Sequence, residues 1–528
     1  MNSSAFVACE ESVLRARRDG ATPCAERSKP WVLAATIVGS SMAFIDTSVV
    51  NVALPAIQSD LAAPVREAQW VVNAYMLMLG ALLLVGGAAG DRFGRRRMFV
   101  IGTVLFAVAS VACALAPNAA ALIGARAIQG VGGALLVPGS LAIISATFPE
   151  SERGRAIGTW AGSSALTTAL GPVIGGWLVD TWSWRIIFLI NVPIAAVAVV
   201  LAIWHVPESR IESNDVAVDW MGGALAVIGL GALAYGLTLA SESGWMGAGV
   251  LGSLGLALVT LCLFVWREAR ARAPMMPLEL FRSRDFSGAN TITLLLYFAL
   301  GGAMFFIPFN LIRVQGYSAA LAGASFLPFS LIMGVLSRWS GGLIERYGAR
   351  TLLTIGPAIV AVGFALLAMP SIGGSYWTTF FPPMVALGFG MAVSVAPLTT
   401  SVMRAVDDRH AGIASGINNA TARIAGMLAV AVLGMIAVAA FGNAIDERIA
   451  QISLSHQARE LVRAEIPKLA EAVAPASVDD AQRTALQQAF KESFVHSFRV
   501  VSLVAAALAF ASAVCGWLTI EPNRRPRT

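Results

Sequence analysis

Fourteen mostly apolar stretches run through this chain, each of about the 20 residues that an α-helix needs to cross the hydrocarbon core of a bilayer. They lie near residues 31–55, 69–90, 98–116, 119–147, 156–180, 186–205, 219–240, 248–266, 287–312, 322–345, 351–370, 376–402, 411–440 and 497–519. Composition agrees, since 57% of the residues are hydrophobic and 13% are charged. Because backbone polar groups inside a bilayer must be satisfied internally, we predict an all-α integral membrane protein.

The distribution of basic residues predicts the orientation. The chain has 37 Lys plus Arg and a net charge of +6. With both termini inside, 24 of the basic residues fall on cytoplasmic segments and ten on outer segments, seven of these in the long segment 441–499. Lysine and arginine accumulate in cytoplasmic loops. Both termini are therefore predicted to be cytoplasmic, and the positive charge reflects membrane topology rather than a nucleic-acid surface.

A glycine turn with flanking charges occurs twice, each time after an apolar stretch. The first copy spans residues 87–97 and the second spans 341–350. The charged and glycine residues singled out are Asp91, Arg92, Gly94 and Arg95 in the first copy, and Glu345 and Arg346 in the second. Matched turns of this kind predict a duplicated transporter whose two halves rock against each other.

The repeat aligns only if two central spans are treated as an insertion, which predicts a 6+2+6 arrangement. The predicted units are a cytoplasmic tail, a first six-helix half, two inserted helices with a cytoplasmic linker, a second six-helix half and a second tail. Their bounds are 1–30, 31–205, 206–285, 286–520 and 521–528. The second half includes an external loop at 441–496, whose residue spacing resembles short amphipathic helices.

Ionisable residues inside the spans are candidates for function. Asp46 and Arg126 both fall about 10 to 13 Å below the outer ends of their predicted helices, so they can meet at one depth. A charge in this position costs at least about 2.5 to 3.5 kcal/mol and should face the bundle interior. The alternative is a purely structural hydrogen-bonding role for Asp46. Arg423 also lies in a span, where pairing with helix ends or headgroups competes with binding of an anionic substrate.

The fifth span contains closely spaced glycines around a proline. These residues are Gly171, Pro172, Gly175 and Gly176. Proline removes a backbone donor and permits a kink, while glycine lets another helix approach closely. The alternative is that these glycines only pack helices.

Together these motifs resemble the major facilitator superfamily, and within it the fourteen-helix drug:proton antiporters of EmrB/QacA type. The resemblance rests on the 87–97 turn and on Asp46 to Pro55, Arg126 to Gly133, Gly171 to Gly176, and Trp184-Arg185 with Phe188, Asn191 and Pro193. It implies the major facilitator fold with 14 transmembrane helices. It also implies a proton-coupled multidrug efflux transporter that exports lipophilic or cationic compounds by alternating access.

The resemblance implies roles for the residues already named. Asp46 and Arg126 would carry proton coupling or recognition of a substrate cation. The charged turn at 87–97 would form a cytoplasmic gate, and Glu345 with Arg346 its counterpart in the second half. The glycines of the fifth span are similar to those of antiporters.

Other classes of activity find no support in the sequence. None of the three lysines follows a glycine, so no loop for nucleotide phosphates is present. The four histidines lack metal-ligand spacing and no catalytic triad is visible, so we expect no enzyme activity, metal or cofactor. The proton gradient is the expected energy source.

The expected location is the bacterial inner membrane, as a multi-pass protein. The expected partners are small lipophilic substrates, protons, membrane lipid and a periplasmic adaptor protein. Two other functions stay open: export of one endogenous lipid, siderophore or antibiotic, and a membrane receptor or scaffold that transports nothing.

Overall fold

The computed structural model describes residues 28–210, 218–271, 274–406 and 411–521, apart from some side chains within these ranges. Most of the predicted tails 1–30 and 521–528 therefore lies outside the described residues. The same holds for part of the predicted insertion 206–285. The side chain of Glu345 also lies outside the described part.

Long helices account for most of the described chain. They are α1 Lys29–Asp60, α2 Val65–Phe93, α3 Arg95–Ala114, α4 Ala119–Thr147, α5 Glu150–Thr181, α6 Asn191–His205, α7 Trp220–Ser243, α8 Ala248–Glu268, α9 Arg284–Phe309, α10 Leu327–Tyr347, α11 Ala349–Leu367, α12 Phe381–Arg404, α13 Ala411–Ile449 and α14 Asp480–Thr519. Shorter helical turns are Ile186–Leu189, Leu278–Arg282, Asn310–Val314, Ala319–Ala324, Tyr376–Thr379, His456–Ala464 and Ile466–Glu471.

The prediction of an all-α membrane protein is confirmed. In the described ranges, 13 helical segments are long and apolar enough to cross a membrane. The remaining long helix is α5, which has 32 residues and packs against α1. The total of fourteen spans and the cytoplasmic position of both termini stay predictions. We call the face that contains Lys29 and Thr519 the inner face, which is the predicted cytoplasmic face, and the opposite one the outer face.

Side-chain caps fix where several helices begin. Asn118 accepts a hydrogen bond from the Ala121 amide at the start of α4, and Asp219 accepts one from the Gly222 amide at the start of α7. Asp479 and Gln482 form a reciprocal capping box at the start of α14. These side chains satisfy amides that have no partner within the helix.

The two sets of six helices pack in the same pattern. In the first set α1 packs on α5 and α6, α2 on α4, and α3 on α4 and α6. Helices eight positions later repeat every pair: α9 packs on α13 and α14, α10 on α12, and α11 on α12 and α14. This is the arrangement of two related halves.

The halves meet along two related seams. At one seam α2 packs on α13, and at the other α5 packs on α10 and on the turn Ala319–Ala324 that precedes it. The hairpin α7–α8 lies outside this arrangement, against α2 and α13, and α8 exposes much of its apolar surface. That surface suits contact with lipid.

The outer segment between the last two long helices is shorter than the predicted loop 441–496. Helix α13 continues to Ile449 and α14 begins at Asp480, which leaves two short helices between them. The predicted loop followed the limits of the apolar stretches, whereas the helices extend beyond these limits. Buried side chains hold the extensions together, as where the rings of Phe441 and Phe490 stack 6.4 Å apart.

Candidate functional site

The first half encloses a buried ion pair between two helices. Arg126 on α4 donates from Nη1 to Oδ2 of Asp46 on α1, over 2.5 Å. Each side chain is only 1% exposed. The structure therefore brings together the two residues that the sequence placed at one depth.

Gln129 completes the hydrogen bonding of the carboxylate. Its Nε2 donates to Asp46 Oδ1 and to Ser110 Oγ, each over 2.9 Å, and its Oε1 accepts from Arg126 Nη1 over 2.6 Å. Asn191 Nδ2 donates to the same Ser110 Oγ over 3.3 Å. Gln129 follows Arg126 by three residues, so both side chains lie on one face of α4. Both carboxylate oxygens of Asp46 are thus occupied.

The remaining contacts of Arg126 come from the neighbouring helices. Its Nε donates to the Val71 carbonyl over 3.0 Å, and its guanidinium lies 4.3 Å from the centre of the Tyr75 ring. The Phe188 ring is 5.8 Å from the same group. These contacts all come from the first half, so in this conformation the pair is sealed within it.

We call Asp46, Arg126 and Gln129 the cage, and its chemistry follows from its burial. A buried, fully hydrogen-bonded ion pair is neutral as a whole, but loss of either charge leaves the other without compensation. Protonation of Asp46 would be such a loss.

The charged turn at the inner face also forms its contacts within the first half. Arg95 Nε donates to Asp91 Oδ1 over 2.9 Å, and Arg95 Nη1 donates to the Ala142 carbonyl over 3.4 Å. The Arg92 guanidinium lies 5.5 Å from the Phe93 ring. The Glu208 carboxylate accepts hydrogen bonds from the Arg96 and Arg97 amides at the start of α3. The sequence pattern did not predict this role for Glu208.

Glycine is required at both copies of the turn. Gly94 has φ +107° and Gly348 has φ +78°, a region that L side chains rarely adopt. Each amide closes the preceding helix, Gly94 onto Gly90 and Gly348 onto Ile344. In the second copy the Arg346 guanidinium lies over the Tyr347 ring.

The glycines of α5 lie in two close helix contacts. A Cβ built on Gly171 would lie 2.0 Å from Ser48 Oγ, and one on Gly175 would lie 2.6 Å from Val49 Cγ1. These two glycines therefore face α1 just after Asp46. A Cβ on Gly176 would lie 2.1 Å from the Ala319 carbonyl oxygen of the second half.

The Pro172 carbonyl also meets the second half, since a Cβ on Gly323 would lie 1.9 Å from its oxygen. Beside this contact, Asp180 accepts hydrogen bonds from the Ala319 amide over 3.0 Å and the Ala320 amide over 2.7 Å. The outer part of the α5 seam is therefore closed by backbone contacts that leave no room for a side chain.

A second closure joins the halves at the outer face. Arg313, just after α9, donates to the Pro55 carbonyl of α1 over 3.2 Å and forms an ion pair with Glu471 of the outer segment. Gln58 of α1 donates to the Lys468 carbonyl over 3.3 Å. We call Arg313, Glu471 and Pro55 the outer latch. Its closure, with that of α5, makes this conformation closed on the outer face.

Burial affects the protonation of the latch. Desolvation raises the pKa of Glu471 above its ordinary value, although the positive charge and hydrogen bond of Arg313 act in the opposite direction. Because the pKa is raised in the closed latch, the closed latch binds a proton more tightly than the open one. The closed latch is therefore stabilised as the pH falls through this raised pKa, and this stabilisation is lost as the pH rises.

Several of these residues were not found from the sequence. The spacing of Gln129 from Arg126 was a usable signal, because three residues separate neighbours on a helix face. Asp180 and Glu471 gave no such signal, since their partners lie 139 and 158 residues away.

This fold of two related helical halves, with the buried Asp46–Arg126 ion pair in the first half, defines a multi-pass membrane transporter. The sequence model of the Major Facilitator Superfamily matches residues 36–430, and the chain belongs to this superfamily.

Two relatives match nearly the whole chain. The "Tetracenomycin C resistance and export protein" of Streptomyces glaucescens is 33% identical over 505 residues, covering 94% of each chain. The "Multidrug resistance protein Stp" of Mycobacterium tuberculosis is 35% identical over 503 residues, covering 93% of this chain and 92% of the relative.

Solved structures share the fold. A bacterial homolog of the human lysosomal transporter Spinster, in an inward-facing and unoccupied conformation, aligns with a TM-score of 0.64 at 17% identity. That alignment covers 93% of this chain and 98% of the other. The xylose transporter XylE from E. coli, in a partially occluded inward-open conformation, aligns with a TM-score of 0.57 at 14% identity over 93% and 99% of the two chains.

We expect Arg126→Leu to lower the free energy of unfolding by about 3 to 5 kcal/mol, because it leaves the Asp46 carboxylate buried without a partner. The double variant Asp46→Asn/Arg126→Leu should lose less than the two single variants combined. Thermal unfolding of the four purified proteins measures this coupling. The half-exposed pair Arg463–Asp446 is the control, with an expected coupling of at most about 1 kcal/mol. Additive losses at Asp46 and Arg126 would contradict the expectation.

Gly176→Ala should open the outer face, because the new methyl group collides with the Ala319 carbonyl. The expected cost to the closed state of about 1 to 3 kcal/mol corresponds to a roughly five- to 150-fold shift in population. Labelling of a cysteine introduced at the buried Ala322, with the native cysteines replaced by serine, measures this opening. Gly162→Ala is the matched control, since its Cβ would meet nothing within 4 Å. Equal labelling in both variants would refute the effect.

Acidification should stabilise the closed outer latch, because burial raises the pKa of Glu471 and the closed latch therefore binds a proton more tightly than the open one. We expect slower hydrogen exchange in the segment 466–479 at about pH 5 than at about pH 7, after correction for the intrinsic rates. Glu471→Gln, which has no titrating carboxyl, should lose this pH dependence, whereas the exposed Glu460→Gln should behave like the native protein. An unchanged pH dependence in Glu471→Gln would exclude the latch as its source.

Proposed function

We propose that this protein exports lipophilic compounds across the bacterial plasma membrane in exchange for protons, by alternating access between its two halves. The observation that carries the proposal is the buried Asp46–Arg126–Gln129 cage inside a major facilitator fold. An ionisable pair at this depth is costly and is by default a functional feature. Relatives of nearly full length are named for drug resistance and export.

In this proposal Asp46 carries the proton and Arg126 sets its affinity for the proton. The structure is closed on the outer face, where the α5 contacts and the outer latch join the halves. Exposure of Asp46 to an outer proton requires these contacts to open. Protonation then removes the charge that holds Arg126, which favours a different packing of the first half.

A contiguous path supports this coupling. Asp46 lies on α1, where the neighbouring residues Ser48 and Val49 pack on the glycines of α5. One residue further along α5, Gly176 packs on the second half. A shift of α1 caused by the protonation of Asp46 would therefore reach the outer seam through side chains in direct contact. We propose that Asp91, Arg92, Gly94 and Arg95 close the inner face in the opposite state, with Glu345 and Arg346 as their counterpart.

The proposed cycle moves its substrate without converting it, and it uses no metal or organic cofactor. Its partners are protons, the small lipophilic substrate and the surrounding lipid. A periplasmic adaptor is a further proposed partner, for which the segment between α13 and α14 is the exposed outer surface.

A narrower function is favoured by the names of some relatives. The "Tetracenomycin C resistance and export protein" and the "Methylenomycin A resistance protein" of Bacillus subtilis, which is 35% identical over 407 residues, are each named for a single antibiotic. Export of one such compound is our second candidate.

Uptake of fluorescent lipophilic compounds into everted membrane vesicles tests the proposal. Native protein should concentrate the compound when a proton gradient is applied, and an uncoupler should abolish uptake. Asp46→Asn should reduce uptake to the level of vesicles without the protein, because it removes the titrating group. The exposed Asp446→Asn serves as the matched acid control and should keep native uptake.

The other outcomes separate the alternatives. Full uptake by Asp46→Asn would remove this residue from proton coupling. Uptake of a single compound from a broad panel would select the narrow exporter. If the native protein takes up no compound and every Asp46 variant behaves in the same way, a receptor or scaffold is favoured.

A further inference from the structure

Arg423 lies in the first third of α13, where this helix is held between α2 and α9. It is twelve residues from the start of α13, or about 18 Å along the helix axis. A Cβ built on Gly80 of α2 would lie 3.3 Å from Arg423 Cβ. A Cβ on Gly301 of α9 would lie 2.8 Å from the Gly426 Cα, one turn further along α13. Arg423 is therefore more than three helical turns from either end of α13.

The charge of Arg423 has no counterion in the described ranges. No carboxylate there lies within ion-pair distance, and no hydrogen bond from its guanidinium is formed to the described residues. Both oxygens of Asp46 are already taken by Arg126 and Gln129. Arginine stays protonated in proteins, and an unpaired cation at this depth is costly. Because the Asp46–Arg126 pair is neutral, Arg423 gives the α2–α13 seam a positive charge at this depth.

The Tyr75 hydroxyl of α2 is a second polar group, within electrostatic reach of Arg423. The Tyr75 side chain is buried at 1% exposure, and its hydroxyl forms no hydrogen bond of ordinary geometry, with the Thr47 side chain its nearby polar neighbour. Tyr75 and Tyr297 of α9 are the titratable groups within electrostatic reach of Arg423 in the described chain. A guanidinium and a phenol thus lie together at the seam, each able to donate hydrogen bonds.

We propose that Arg423 and Tyr75 form an anion-binding site between the halves that receives the acidic group, such as a carboxylate, of a lipophilic substrate. The half-buried position of Arg423 leaves part of it accessible. A planar guanidinium binds a carboxylate through two parallel hydrogen bonds. The aliphatic and aromatic side chains around Arg423 suit the apolar part of such a substrate. The inference deepens the proposed export function and rests on it. Of the lipophilic or cationic compounds expected from the sequence, a positive charge at this seam favours lipophilic acids over cations.

Binding of matched fluorescent probes to the purified protein in detergent tests the site. The probes are pyrenebutyrate, its uncharged methyl ester, and a pyrene alkylammonium, which share one ring system and differ in charge. Fluorescence anisotropy gives the three dissociation constants. The variants are Arg423→Gln, Arg423→Lys and Tyr75→Phe, with the exposed Arg404→Gln as the matched control.

Native protein and Arg404→Gln should bind the carboxylate at least about tenfold more tightly than the ester. Arg423→Gln should abolish this preference, and Arg423→Lys should retain part of it. Tyr75→Phe should reduce it by about two- to tenfold, the effect of one hydrogen bond. Equal binding of acid and ester to the native protein overturns the proposal, as does an unchanged preference in folded Arg423→Gln. If Arg423→Gln does not fold, an unchanged preference in Tyr75→Phe overturns it.

This test is independent of the transport assay, because equilibrium binding needs no gradient and no second conformation. Preference for the acid together with failure of proton-driven uptake would support the anion-binding site and contradict the export function. Proton-driven uptake without preference for the acid would support the export function and contradict the anion-binding site.

Discussion

Close backbone approach between helices is the constraint on which this structure depends. Inside a bilayer, lipid is as apolar as a leucine side chain, so helices associate through packing and a few polar contacts. The glycines supply this packing. A Cβ on Gly132 would lie 2.7 Å from the Phe106 amide nitrogen, and one on Gly86 would lie 1.9 Å from the Ala134 carbonyl oxygen. The same device recurs at Gly176 and Gly323, where the two halves meet.

Polar groups are placed within this packing in different ways in the two halves. The first half holds Asp46 and Arg126 as a sealed, neutral pair, whereas the second half contributes the unpaired Arg423 at the seam. The two related halves therefore share helix packing but not charge. In the proposed cycle, the first half would respond to protons while the α2–α13 seam would face the transported compound. Separate sites for the two tasks would suit an exchanger whose substrate does not displace the proton directly.

The outer closure combines rigid and titratable contacts. At the α5 seam, Gly176 packs closely on the Ala319 carbonyl, and the Asp180 carboxylate accepts hydrogen bonds from the amides beside it. At the outer latch, Arg313 and Glu471 interact through charges, which respond to protonation. A proton arriving from outside would thus meet Glu471 before it reaches Asp46. The segment between α13 and α14 is in this sense part of the closure as well as a surface.

The sequence by itself determined the helices, the two glycine turns and the common depth of Asp46 and Arg126. These features follow from apolar length, from the backbone freedom of glycine and from the fixed rise per residue of a helix. Only the tertiary structure decided that Gln129 and Ser110 complete the cage, that Glu471 meets Arg313, and where α13 and α14 end beyond their apolar stretches. Those outcomes depend on contacts between residues far apart in the chain, and local pattern carries no information about which distant surfaces will meet.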